Sequence, residues 1–170
     1  SEPEKQTLLN ELESSISRQE NFSKTGFLPW KEAKLAYQKI VSDNNLEKSV
    51  EFKGWIERDK IPENISDASI GIGPLRLTDV TSRALPIKVL EYMAVSLPII
   101  AKKGTLPEDV LVNEQNGYYI DEAEDLAEKI ILLLNEPKKV QNMGNESLNM
   151  VQKFSWNNVV KNILDTVNKN

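Results

Sequence analysis

The sequence predicts an α/β fold in which a parallel β-sheet carries helices on both faces. Three observations lead to this class. Short apolar runs alternate with segments of helical period through the middle of the chain, as in consecutive βα units. Most of these runs are continuously apolar, which is expected of strands covered on both faces. The last third of the chain has helical period throughout.

Four segments are predicted as strands, and we expect them to be parallel neighbours. The first, SVEFKG, alternates apolar and polar residues, which is typical of a half-buried strand. The others are SIGIG, which is followed by Pro74, then LPIIA and GYYI. The predicted strands cover residues 49–54, 69–73, 97–101 and 117–120.

Helices are predicted where apolar residues recur about every 3.6 positions. An N-terminal helix is followed by a short strand over 22–28. Pro137 fits the first turn of a late helix, and Ser155 fits the N-cap of the last one. The predicted helical segments are 4–18, 33–41, a short turn at 63–67, 85–95, 107–112, and C-terminal helices from about 122 to 168.

Composition excludes several kinds of chemistry. The chain has 170 residues, enough for one domain with a core, and contains neither cysteine nor histidine. Disulfides, thiol catalysis, cysteine zinc sites and Ser-His triads are therefore excluded. The net charge of −5, with no basic block containing aromatic residues, argues against nucleic acid as a partner.

The termini and hydropathy bear on location. No apolar run approaches the roughly 20 residues that span a bilayer, and the first residues are not those of a signal peptide. A start at Ser1 is consistent with a piece of a longer protein and equally with a processed terminus. We expect a cytoplasmic protein, peripheral at a membrane only through a further domain.

The stretch TSRALPIKVLEYMAVSLPII is the most informative for function. It combines a loop, a helix beginning at Ala84 to Ile87, and a strand. A helix N-terminus at the carboxyl end of a sheet presents free N–H groups suited to phosphate. Lys88 and Glu91 lie on nearly the same face of this helix. The alternative is a plain amphipathic helix with a surface ion pair between Lys88 and Glu91.

These segments, in their order, resemble the C-terminal domain of glycosyltransferase family four. The resemblance rests on VEFKGW, SDASIGIGPL, LPIKVLEYMAVSLPIIA, NEQNGYYI, DLAEKIILLL and FSW, and covers roughly residues 31–168. It implies one Rossmann-like half of a GT-B fold, in a retaining enzyme that uses a UDP-, GDP- or ADP-sugar as donor substrate, and we therefore expect neither a metal nor a separate cofactor. The absence of Asp-x-Asp agrees with this. Because the donor lies between two domains, the resemblance implies an N-terminal acceptor-binding domain as partner.

The resemblance also implies particular roles. Glu91 matches the glutamate that binds the ribose hydroxyls, and the Gly54-Trp55 pair matches a loop against the base. Simple alternatives are a surface aromatic for Trp55 and a plain turn at Gly73-Pro74. No residue of this half is expected to act as a catalytic acid or base. The full set of implied nucleotide-sugar-binding residues is Gly54, Trp55, Gly73, Pro74, Leu75, Arg83, Ala84, Leu85, Lys88 and Glu91.

Two departures from the family pattern stand out. Arg83 occupies the position of a glutamate that contacts the transferred sugar. The usual opening strand, with its Gly-Arg…Lys segment for the donor phosphates, has no match in residues 1–30, a poorly matched and mainly helical segment. We therefore divide the chain into residues 1–30 and a donor-binding domain at 31–170. The missing first strand requires a sheet that is rearranged, gapped or completed by another chain.

Three functions remain open on this basis. The leading hypothesis is the donor-binding domain of a retaining glycosyltransferase for polysaccharide or glycolipid synthesis, inactive alone. The alternative is a non-catalytic Rossmann-like module that has lost donor binding and serves in assembly. A flavodoxin-like regulatory domain is a third, but no acidic pocket at strand ends supports it. The acidic stretch 121–125 is interpreted as a solvated helix N-terminus, and the Asn116-Gly117 pair as a tight turn.

Overall fold

The computed structural model describes residues 30–167, and the chain divides between Trp55 and Ile56 into two compact units. The predicted helix at 4–18 and the predicted strand at 22–28 lie outside the described residues. In the first unit, helix α1 spans Trp30–Asp43 and confirms the second predicted helix. It ends where the Asn44 side chain donates to the carbonyl of Ile40 at 2.8 Å.

The predicted strand at 49–54 is wrong, because these residues form no regular secondary structure. The backbone N–H groups of Ser49 and Val50 both donate to the carbonyl of Leu46, at 2.9 and 3.0 Å, and so form a turn. Gly54 then takes a positive φ of 70°, a conformation foreign to a strand. Local turn bonds therefore outweigh the weak apolar alternation of the segment.

The second unit contains an open sheet of three parallel strands in the order β1-β2-β3. The strands are β1 (Gly71–Ile72), β2 (Ile99–Lys102) and β3 (Gly117–Ile120). Ile99 is paired with Gly71 on one side and with Gly117 on the other. Three of the four predicted strands, and their parallel pairing, are thus confirmed.

Helices cover both faces of this sheet. The second unit opens with a 3₁₀ turn at Arg58–Lys60 and helix α2 (Ile61–Ile65), slightly ahead of the turn predicted at 63–67. On one face, Ile99 and Ala101 pack against Val89 and Met93 of helix α3 (Ile87–Ala94). On the other, Ile100, Tyr118 and Ile120 pack against Leu133 and Met143. The α/β class is therefore confirmed.

The helix predicted at 107–112 is wrong, since the chain makes only a single turn there, with Val110 and Leu111 both donating to Pro107. The buried side chain of Asn116 binds the N–H of Val112 at 2.8 Å and the carbonyl of Val110 at 2.9 Å. These backbone groups are consequently not available to extend a helix.

The C-terminal helices agree with the prediction. They are α4 (Ala123–Asn135), α5 (Pro137–Val151) and α6 (Trp156–Val167), with a 3₁₀ turn at Gln152–Phe154 before the last. Pro137 opens α5, and Ser155 accepts a hydrogen bond from the N–H of Asn158 at 3.4 Å, as an N-cap does. None of the helices within residues 30–167 has the length and apolarity to cross a bilayer.

Candidate nucleotide site at the carboxyl edge of the sheet

The carboxyl ends of the three parallel strands meet at one edge of the sheet. We call the segments that follow β1 and β2 there, residues 73–86 and 102–105, the carboxyl edge. In open α/β sheets this is the side on which ligands bind. Gly73 begins it close to β2, because a Cβ on Gly73 would lie 3.0 Å from the Cβ of Ala101. Its N–H donates to Ile100 at 2.8 Å.

Hydrogen bonds to the carbonyl of Pro74 join the two segments of the carboxyl edge. The Pro74 carbonyl accepts hydrogen bonds from the N–H of Lys102 at 2.9 Å and from the Thr105 hydroxyl at 3.2 Å. Thr105 is only 1% exposed, and its hydroxyl also lies 2.7 Å from the carbonyl of Lys102. Gly73 and Pro74 are therefore held in place by β2, as a binding loop requires, while Leu75 is exposed.

The loop from residue 76 to 84 is ordered by its own hydroxyl groups. Thr78 and Thr81 each accept a hydrogen bond from the other's backbone N–H, at 3.0 and 2.8 Å. The Thr81 hydroxyl also donates to the carbonyl of Arg76 at 2.8 Å. A helical turn follows, in which Ala84 donates to Val80 at 2.9 Å. This arrangement leaves Arg83 and Ala84 exposed and Leu85 half-buried against the core.

Helix α3 begins at Ile87, the last residue of the predicted start, with Pro86 as its N-cap. Pro86 has an extended ψ of 124° and provides no side-chain cap. A proline also disfavours helical backbone in the residue before it, so the helix does not begin earlier. Lys88 is exposed in the first turn, and Glu91 is partly exposed one turn later.

Lys88 and Glu91 do not form the surface ion pair of the simpler interpretation. Within the part of the chain that the structure describes, neither side chain makes an ion pair or a hydrogen bond. Val89 and Met93 of the same helix are fully buried, so α3 is fixed while its two charged groups stay free. Burial, followed by the charge of Glu91, raises the pKa of the neighbouring Tyr92, which is therefore a neutral phenol near pH 7.

Eight of the ten predicted residues belong to the second unit and two to the first. Gly73, Pro74, Leu75, Arg83, Ala84, Leu85, Lys88 and Glu91 all belong to the second unit, in the carboxyl edge and the helix that follows it. Gly54 and Trp55 belong to the first unit, where Trp55 is 93% exposed.

Two lysines of this edge were not among the predicted site residues. Lys102 and Lys103 come at the end of β2, and the letters KK directly after the apolar run LPIIA were the available signal. The ammonium of Lys102 donates to the carbonyl of Asp121 at 2.6 Å. The backbone N–H of Lys103 donates to Ile120 at 2.9 Å, while its side chain is exposed.

The acidic stretch after β3 is a helix cap. The N–H groups of Asp121 and Glu122 donate to the Asp125 carboxylate at 3.1 and 2.9 Å, and Glu122 completes a capping box. These bonds lower the pKa of Asp125. Among residues 30–167, no group of three or more acidic, histidine or cysteine residues is placed to hold a metal ion. Asn116 lies in the turn before β3, and its side chain is buried.

The fold and this edge define a doubly wound domain of the GT-B type. The family described as "Glycosyl transferases group 1" matches residues 30–150, and the chain therefore belongs to it. The human chitobiosyldiphosphodolichol beta-mannosyltransferase is 21% identical over 123 residues, which is 71% of this chain and 26% of that protein. The chain thus spans about a quarter of the length of this relative.

Solved structures of similar fold include the C-terminal domain of the group 1 glycosyltransferase LpcC from Francisella tularensis. It has a TM-score of 0.59 and 23% identity, over 72% of this chain and 62% of that one. Sucrose-phosphate synthase from Thermosynechococcus elongatus has a TM-score of 0.69 and 22% identity, over 81% and 34%. A mutant of S. aureus TarM, solved with fondaparinux, α-GlcNAc-glycerol and UDP, has a TM-score of 0.61 and 21% identity, over 75% and 25%.

Proposed function

We propose that residues 31–170 form the C-terminal, donor-binding domain of a glycosyltransferase, and that the carboxyl edge and helix α3 hold the nucleotide sugar. Family membership supports glycosyl transfer. The carboxyl edge supports the location, because its backbone is fixed by hydrogen bonds while the side chains of Arg76, Arg83 and Lys103 make no hydrogen bond or ion pair among the described residues. The TarM structure, which has a similar fold, contains UDP.

The carboxylate of Glu91, which is unpaired within residues 30–167, is the observation that best supports this proposal. Its carboxylate is partly exposed on a fixed helix and has no partner among the described residues. A free carboxylate can accept two hydrogen bonds from the vicinal hydroxyls of a ribose. A carboxylate that stabilises the fold is expected to bind a cation or the N–H groups at a helix end, as the Asp125 carboxylate does at the start of α4.

The test is a titration of UDP, GDP and ADP into the wild-type chain and into Glu91→Gln, carried to millimolar nucleotide. We expect the substitution to weaken binding roughly tenfold to a hundredfold, since a charge-assisted hydrogen bond contributes about 1.5–3 kcal/mol. Stability should change by less than about 0.5 kcal/mol, because Glu91 has no folded-state partner to lose. Glu63→Gln, on the exposed side of α2, is the matched control and should bind like wild type.

The second candidate is a non-catalytic module that serves in assembly. The basic side chain of Arg83, at the position where the resembled family has a glutamate, favours it. Equal affinities of wild type and Glu91→Gln, or no binding by wild type at low salt, would favour this candidate over the first. The titration therefore separates the two.

The proposal extends to the whole protein. A donor domain requires an acceptor-binding partner, because transfer needs both substrates held in one cleft. We expect the 170-residue chain alone to transfer no sugar at a useful rate, and robust turnover by it would refute this. Retention of anomeric configuration is the expected course. The human relative is named a beta-mannosyltransferase. The anomeric configuration of the product, measured by NMR with the complete enzyme and compared with that of the donor, decides between retention and inversion.

A further inference from the structure

The carboxyl edge is basic although the protein as a whole is acidic. Residues 73–86 and 102–105 contain one acidic residue, Asp79, in a chain whose net charge is −5. They contain four basic residues: Arg76, Arg83, Lys102 and Lys103. The carboxyl edge therefore has a net charge of +3 (four minus one). A local excess of this kind attracts an anionic ligand to one side of the sheet.

Arg76 and Lys103 occupy corresponding places in the two segments of the edge. Pro74, before Arg76, is hydrogen-bonded to the N–H of Lys102, which precedes Lys103. Leu77, after Arg76, has a methyl carbon 3.5 Å from the position that a Cβ on Gly104 would take. These two contacts flank both residues along the chain and bring the backbone segments that carry Arg76 and Lys103 next to each other.

Both backbones are fixed while both head groups are free. The carbonyl of Arg76 accepts the Thr81 hydroxyl at 2.8 Å, and the N–H of Lys103 donates to Ile120 at 2.9 Å. Within residues 30–167 neither side chain has a hydrogen bond or an ion pair. Lys102, by contrast, is held by the carbonyl of Asp121. A pair of free cations on fixed backbone is suited to an anion with two adjacent charged groups.

We propose that Arg76 and Lys103 bind the diphosphate of the nucleotide sugar. This inference rests on the proposed donor-binding function and adds a phosphate site to it. The resembled family binds the donor phosphates with a Gly-Arg…Lys segment that has no match in residues 1–30. Arg76 and Lys103, which follow β1 and β2, would supply the positive charge instead. Arginine can contact phosphate oxygens through two parallel N–H groups, and lysine through a single ammonium.

The test compares nucleoside diphosphate with nucleoside monophosphate on the full chain. UDP, UMP and inorganic pyrophosphate, or the corresponding ligands of whichever base binds best, are titrated by calorimetry. The proteins are wild type, Arg76→Gln, Lys103→Gln and the double variant. Lys161→Gln, at an exposed and unpaired lysine of α6, is the matched control. Melting temperatures of all variants verify that they are folded.

We expect each single substitution to weaken UDP binding about tenfold, the effect of losing one charge-assisted hydrogen bond, and UMP binding much less. Pyrophosphate should lose affinity in parallel with UDP. Raising the salt from about 50 to about 500 mM should weaken UDP binding more in wild type than in the double variant. Lys161→Gln should behave as wild type throughout.

The outcomes separate this inference from the proposed function. If wild type binds UDP and Glu91→Gln weakens it, while the Arg76 and Lys103 variants bind as wild type does, the phosphate site is overturned and donor binding stands. Equal losses for UDP and UMP would also overturn the phosphate site. Failure of wild type to bind any nucleotide at millimolar concentration would overturn both.

Discussion

The two ends of the sheet differ in how their polar groups are used. At the carboxyl edge, Arg76, Arg83 and Lys103 are free of ion pairs within residues 30–167. At the opposite end, before β2 and β3, the side chains of Asn116 and Ser147 are buried and hydrogen-bonded. We call this second region, formed by Ser96, Asn116, Gly144 and Ser147, the amino edge. There the carbonyl of Asn116 accepts the N–H of Ile99 at 3.0 Å and the Ser147 hydroxyl at 3.3 Å.

The difference separates groups kept for stability from groups available for binding. Asn116 is fully buried and both ends of its side-chain amide are hydrogen-bonded. Across residues 30–167 no buried side-chain nitrogen or oxygen lacks a partner. Free charges are therefore confined to exposed positions such as those of the carboxyl edge. Substitutions at the amino edge should cost stability, whereas those at the carboxyl edge should cost binding.

The largest effect is expected from Gly144→Ala. A Cβ on Gly144 would lie 2.0 Å from the backbone oxygen of Ser96, which cannot move as a side chain can. We expect a loss of about 3 kcal/mol or more from this overpacking, although alanine gains about 1 kcal/mol in helix propensity over glycine. Denaturant unfolding measures it.

Asn145→Ala is the control for Gly144→Ala, since Asn145 is the exposed neighbour on the same helix. It should be neutral or slightly stabilising. A Gly144→Ala protein as stable as wild type would show that α5 does not pack closely on the chain before β2, and the proposed contrast between the two edges would fail.

Asn116→Ala should come next in size. It removes the partners of the half-buried Val112 N–H and the buried Val110 carbonyl, and leaves both without this bond. We expect a loss of about 2–3 kcal/mol in the free energy of unfolding, as for buried polar groups left unsatisfied. Gln115→Ala, at the exposed neighbouring position, should differ from wild type by less than about 0.5 kcal/mol. Unchanged stability of Asn116→Ala would contradict a structural role.

Asp125→Asn should have the smallest effect, and one that depends on pH. Hydrogen bonds from the backbone N–H groups of Glu122 and Asp121 lower the pKa of Asp125 from its usual 3.8. A depressed pKa contributes stability that is present above pH 3.8 and lost as the pH falls through the lower folded value. The melting temperature of wild type should therefore exceed that of Asp125→Asn at pH 7, with the gap closing in strong acid.

Glu124→Gln, in the same helical turn, is the control for Asp125→Asn. It keeps the backbone hydrogen bonds to Asp125, so its gap to wild type should not follow the same pH profile. A constant gap between wild type and Asp125→Asn across this pH range would show that the cap does not depend on the charge.

Local patterns were sufficient for the parts of the fold that repeat a simple period. Strand β3 has the predicted bounds, and the stripes of apolar residues located α1, α3 and the C-terminal helices. They failed where a bond from a distant or neighbouring group competed with the local preference. The carbonyl of Leu46 accepts hydrogen bonds from the N–H groups of Ser49 and Val50, and the Asn116 side chain accepts one from the N–H of Val112.

The candidate site divides in the same way. Glu91 and the Gly73-Pro74 pair could be singled out from the sequence, since both follow from the motif and from the rule that ligands bind at the carboxyl ends of strands. The role of Thr105 could not be predicted. Its hydroxyl is bonded to Pro74, 31 positions earlier in the chain, only because β1 and β2 are neighbours in the sheet.

By itself, the sequence determined the α/β class, the three parallel strands and the helix that carries Glu91, because the period of apolar residues is a local property of the chain. Only the tertiary structure decided which charges are free. Whether Lys103 lies near Arg76 depends on the contacts of Pro74 and Leu77 with the segment after β2. Such contacts join residues far apart in the chain, and no local period encodes them.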